Sequence, residues 1–179
     1  MAFKYKKINH RGIHIFTAVA GLVLFLLSSS VIPFLSQLKN APSPDLLLCL
    51  VCASGAFLPK KQACIYAVIF GFFADLFLYA PMSFSPVVYL VSVFVTCICL
   101  SFFSEIGSIT AAVCSVPAIL IRIITKSIAT AVVFEDAGFF KVLGENLLPE
   151  FAVNFASVIV ICFICRRLIY KLNTNSLRS

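Results

Sequence analysis

Residues 108–134 read SITAAVCSVPAILIRIITKSIATAVVF, a run in which Arg122 and Lys126 are the only charged side chains. Wound as an α-helix at about 1.5 Å per residue, such a run is about 40 Å long, more than the ~30 Å hydrocarbon core of a bilayer. Five further apolar runs lie around it, at 13–35, 45–58, 62–79, 86–103 and 147–165. None alternates apolar and polar residues as a membrane barrel strand does, and hydrocarbon offers no water to satisfy free backbone N–H and C=O groups. Each run is therefore expected to be a helix, and the fold class all-α: a six-helix transmembrane bundle.

Composition points the same way. Of 179 residues, 61% are hydrophobic and 12% charged, and the mean hydropathy is +1.08. An ordinary soluble domain carries far more charge. At roughly 20 residues per crossing the chain has length for five or six spans, so residues 1–179 are expected to form a single integral membrane domain. The opening Lys4, Lys6, Lys7 and Arg11 resemble the basic start of a secretory signal. The apolar run behind them is too long for one and lacks a small-residue cleavage pattern, so it reads as a retained first helix.

The formal net charge is +7, but the basic residues gather at the two ends instead of forming a groove or stripe, which argues against nucleic acid. With six spans and both termini cytoplasmic, one side collects Lys4, Lys6, Lys7, Arg11, Lys60, Lys61, Arg166, Arg167, Lys171 and Arg178. The other side holds only Lys39 and Lys141. That asymmetry is what the positive-inside rule describes. The second run is short, about 21 Å at 1.5 Å per residue, which suggests a re-entrant segment. The matching basic ends demand an even number of crossings and so favour a full span. Pro42 and Pro44 open that helix, Pro59 closes it, and Pro81 and Pro86 bracket the next outer turn, as expected where helices stop and start. Trp is absent, so Tyr5, Tyr66, Tyr79, Tyr89 and Tyr170 are expected to anchor helix ends at the interface.

Catalysis has no visible carrier. There is no Ser-His-acid set, no Gly-rich phosphate loop and no H-E-x-x-H. Cys49-x-x-Cys52 and Cys162-x-x-Cys165 have a spacing that elsewhere binds zinc, yet both lie inside apolar runs without a histidine at ligand spacing, so they read as small packing residues. His10 and His14, one turn apart at the start of the first helix, read as interfacial and hydrated. No cofactor is expected.

The informative residues are polar ones at membrane depth. A charge at a helix centre costs about 2.5–3.5 kcal/mol on insertion scales and so faces the bundle interior and finds a partner. Asp75, Arg122, Lys126, Glu150 and Asn154 fall in the outer half of their helices under the six-span topology. Arg122 and Lys126 are four apart, as are Glu150 and Asn154, so each pair shares one helix face. The charges of Asp75, Arg122, Lys126 and Glu150 cancel. A compensated polar layer tying the third, fifth and sixth helices is expected. The alternative is that Lys126 and Glu150 only snorkel to the interface. Gly71, four residues before Asp75, would let a neighbouring helix come close, and Gly21 and Gly55 would serve likewise.

The run Pro44-Asp45-Leu46-Leu47-Leu48, with the later Gly71-Phe72-Phe73-Ala74-Asp75-Leu76-Phe77, resembles the rod shape-determining protein MreD family. Its members share a Pro-Asp-apolar opening and a Gly-x-x-x-Asp-apolar segment. Where the family tends to place a Gly-containing turn after the Asp segment, this chain reads Pro81-Met82-Ser83-Phe84-Ser85-Pro86. The resemblance implies a non-catalytic component of the bacterial inner membrane that acts in cell elongation by binding. Its implied partners are an MreC-like bitopic protein and, indirectly, actin-like MreB, the wall synthase RodA and a penicillin-binding transpeptidase. It also implies a fold similar to the six-helix substrate-binding subunits of energy-coupling-factor transporters. The alternative function is a vitamin- or metal-capture subunit, with Asp75, Arg122 and residues 135–146 around a ligand.

Overall fold

The computed structural model describes residues 10–28, 44–77, 85–105, 107–133 and 139–175, and every regular element among them is helical. In chain order these are α1 (His10–Leu26), α2 (Leu46–Phe57), α3 (Lys60–Phe77), α4 (Ser85–Ser101), α5 (Ser108–Cys114), α6 (Val116–Val133) and α7 (Phe139–Asn175). Among the described residues, two stretches are long and apolar enough to cross a membrane, Ser108–Val132 and Leu147–Leu168.

α2 is the hub. Its 12 residues rise about 18 Å, and every residue from Leu47 to Ala56 is buried. A helix that is apolar all round has no face to offer water and must be enclosed. α1, α3, α4, α5 and α7 enclose it. Its start is set by Asp45, whose side chain accepts a hydrogen bond from the Leu48 N–H at 3.0 Å. This satisfies one of the donors that a first helical turn leaves open. Its end is set at Leu58, which is extended, as a residue before proline prefers to be.

The apolar stretch that starts at Ser108 is interrupted at Ser115, between α5 and α6. Pro117 has no N–H for the Val113 carbonyl, and the Ser115 hydroxyl donates to the Ala111 carbonyl at 2.8 Å, a back-bond that bends helices. The last run is longer as a helix than as an apolar segment, reaching from Phe139 to Asn175 through Pro149, whereas hydropathy places it at 147–165. The polar residues around 141–146 and 166–171 end the apolar run without ending the backbone hydrogen-bond ladder. Of the first run, 13–35, residues 29–35 lie outside the described residues, as does Pro42.

Gly71 sits where α3 and α4 cross. A methyl group there would lie 2.3 Å from the Pro86 Cα and 2.6 Å from the Pro86 nitrogen, both fixed backbone atoms. Gly55 differs, since its nearest neighbour would be the Val93 Cγ1 at an ordinary 3.7 Å. At Gly21 the obstacle is the tip of the Phe70 ring. The bundle also carries large apolar side chains on its outside. Ile65, Ile69, Phe72, Phe73 and Leu76 of α3 and Val87, Val91, Phe94 and Ile98 of α4 are all exposed.

Candidate functional site

The polar residues do converge, around the N-terminus of α2. Asp45 carries the centre: its Oδ1 accepts from the Leu48 N–H at 3.0 Å and from the Tyr89 hydroxyl at 2.6 Å. Its Oδ2 accepts from the Arg122 Nε at 2.9 Å. The Asp45 backbone N–H donates to the Asn154 Oδ1 at 2.7 Å, so α7 holds the cap from behind. Pro44, without an N–H and with φ fixed, leads the chain into this cap.

Arg122 bridges outward from there. Its Nη1 donates to the Ser85 hydroxyl at 3.2 Å, and its guanidinium carbon lies 5.6 Å from the centre of the Tyr89 ring, within cation–π range. The Ser85 N–H in turn donates to the Asp75 carboxylate, at 3.0 Å and 3.3 Å to its two oxygens. On the other flank Lys126 pairs with Glu150, and the Asn154 Nδ2 donates to the Glu150 carbonyl at 2.9 Å. One connected set therefore joins α2, α3, α4, α6 and α7. The i, i+4 spacings of Arg122/Lys126 and Glu150/Asn154 put each pair on the faces that meet.

The pairing differs from the sequence expectation in one respect. Balancing Asp75, Glu150, Arg122 and Lys126 omits Asp45, which is the ion-pair partner of Arg122. Counting it, the set holds three carboxylates against two cations, and Asp75 engages the Ser85 backbone at the start of α4. Snorkelling is also only half the story for the Lys126 pair: the Lys126 side chain is 45% exposed, the Glu150 side chain 9%. The lysine reaches outward while the carboxylate stays inside.

Two residues of this set are not singled out by sequence reasoning. Tyr89, grouped with the interfacial anchors, is fully buried and aimed at Asp45. Ser85 is likewise fully buried. A signal for both existed: Ser85, Tyr89, Ser92 and Thr96 recur at helical spacing in an otherwise apolar run, and all four are buried. Tyr66 is half-buried within α3 and stacks on Phe70 with ring centres 5.8 Å apart. Tyr5, Tyr79 and the Tyr170 side chain lie outside the described residues.

The eight cysteines are free thiols. Cys49, Cys52, Cys162 and Cys165 are buried where α2 meets α7, and the Cys49 thiol contacts the Asn154 carbonyl at 3.6 Å. Among the described residues no group of three or more His, Cys, Asp or Glu is placed to hold a metal ion. The His10 and His14 side chains and residues 134–138 lie outside the described residues. Arg122 and Asp75, the expected ligand contacts of a capture subunit, are both hydrogen-bonded within the chain. What the arrangement does chemically is to tie five helices together through two ion pairs and the hydrogen bonds around them. Comparison with known proteins returns nothing: no family model, curated protein or solved structure matches this chain.

Proposed function

We propose that this chain is a multi-pass protein of the bacterial inner membrane, related to the rod shape-determining MreD family, which organises wall synthesis by binding partner membrane proteins. In this reading six spans cross the bilayer with both termini cytoplasmic. The apolar outer faces of α3 and α4 support it, because contiguous apolar surface of that extent on a water-soluble protein marks a binding or membrane-facing surface.

One observation carries the family reading. The two segments that resemble the family, Pro44-Asp45 and Gly71 to Asp75, lie some 30 residues apart and meet at one place. Asp45 and Asp75 reach each other through Arg122 and Ser85, while Gly71 admits the Pro86 backbone beside them. Segments that meet in space form one structural unit, which is what a two-part motif working as a unit requires.

The test is depletion of the chain in its bacterial host together with affinity purification in mild detergent. Rods that round up, and recovery of an MreC-like bitopic protein, are the expected results. Normal rods with no such partner overturn the proposal, and tight binding of a vitamin or metal ion together with an ATPase module would make the chain a capture subunit instead.

A further inference from the structure

The two ends of the bundle treat charge in opposite ways. At the Asp45 end Arg122 and Lys126 both have carboxylate partners within the chain. At the other end Lys60, Lys61, Arg166 and Arg167 are all exposed, and among the described residues none makes an ion pair. They belong to one end: Leu58, just before α3, and Cys165, just before Arg166, line the same small cleft. A methyl group at Gly107, on the α4–α5 link, would lie 3.8 Å from the Arg166 Nη1. The described acid on that link is Glu105, also exposed.

Four cations against one carboxylate repel one another unless an outside anion gathers there. The same link also exposes two aromatic side chains, Phe102 at 81% and Phe103 at 50%. An acidic protein segment would answer the cations and leave these rings in water. A phospholipid with a net negative headgroup answers both, its phosphate to the guanidinium groups and its acyl chains to the rings. We infer that this end of the bundle binds anionic phospholipid headgroups, with Arg166 and Arg167 at its centre and Phe102 and Phe103 against the acyl chains. The inference rests on the membrane reading above.

The full chain, purified in a neutral maltoside detergent, is given equal amounts of phosphatidylglycerol and phosphatidylcholine, and retained lipid is measured by native mass spectrometry. Retention of phosphatidylglycerol about tenfold or more above phosphatidylcholine is expected. Each basic residue near an anionic surface contributes about 1 kcal/mol, a factor of about five, so losing two removes up to about 25-fold and Arg166→Gln with Arg167→Gln brings retention of the two lipids close to parity. Arg166→Lys with Arg167→Lys keeps most of the preference, which separates lost charge from lost folding. Equal retention of the two lipids by the unaltered chain overturns the inference. So does displacement of the lipid by excess inorganic phosphate, which would mark a free-phosphate site. A chain that stays monodisperse without detergent would instead bring down the membrane reading, whatever it retains.

Discussion

Removing the carboxylate of Asp45 while leaving Arg122 in place is the sharpest perturbation of the polar set. Asp45→Asn keeps the size of the side chain and an oxygen for the Leu48 N–H, but it takes away the charge 2.9 Å from the Arg122 Nε. The side chains are 11% exposed for Arg122 and 16% for Asp45, so the stranded guanidinium sits mostly out of water. Breaking a buried pair from one side costs about 3–5 kcal/mol. The lower end applies here, about 3 kcal/mol, because Ser85 still accepts from Nη1 and some exposure remains. Arg122→Met strands Asp45 less severely, since Tyr89 and Leu48 still donate to it, and about 2 kcal/mol is expected. The double variant Asp45→Asn/Arg122→Met has neither charge. Its loss should fall short of the sum by about 2 kcal/mol, within the coupling range for contacting residues. The assay is unfolding of the purified protein in mixed micelles by increasing fraction of denaturing detergent, read by helical circular dichroism. A loss of 3 kcal/mol moves the unfolding constant about 100-fold, since about 1.4 kcal/mol is tenfold. Single-variant losses that add to within about 0.5 kcal/mol would refute the coupling and with it the ion pair as the hub of the site.

Other outcomes follow from the same geometry. Gly71→Ala drives a methyl group into the Pro86 backbone, and unfolding in the same assay should show a loss of about 1–3 kcal/mol despite the better helix propensity of alanine. Gly55→Ala meets only ordinary contacts and should be neutral or up to about 1 kcal/mol more stable; equal effects at the two glycines would contradict the close α3–α4 crossing. Tyr89→Phe removes a hydroxyl donated to a carboxylate and should cost about 1.5–3 kcal/mol, measured as a shifted midpoint with unchanged helical content. Lys126→Met leaves the Glu150 carboxylate inside without its cation, whereas Glu150→Gln leaves a half-exposed lysine free to reach water. The first should therefore destabilise more than the second, and the reverse order of midpoints would show that Glu150 is not the buried partner.

Much of this was readable along the chain. Hydropathy is a property of local composition, so the apolar runs and their all-helical character follow from residues such as those at 108–134 without tertiary knowledge. Pro59 marks the end of α2 because the pre-proline bias acts over a few residues, and its start was expected from the nearby prolines, not from the cap that Asp45 supplies. The i, i+4 faces of Arg122/Lys126 and Glu150/Asn154 follow from helical period alone. The extra turns of α7 do not, because its backbone ladder continues past the point where the side chains stop being apolar.

The chain by itself thus determined that the apolar runs are helical and that Arg122, Lys126, Glu150 and Asn154 had to find shelter among them, but not that Asp45, Ser85 and Tyr89 would shelter with them. Only the packed bundle decided who shelters whom: Asp45 with Arg122 across 77 residues, Tyr89 turned inward, and Asp75 on the Ser85 amide. The reason is that the energy of a buried charge depends on the distance to its partner in space, and that distance is set by how helices far apart in sequence cross. The glycines make the same point, for nothing in the local sequence says that a methyl group at Gly71 meets backbone and one at Gly55 meets an ordinary gap.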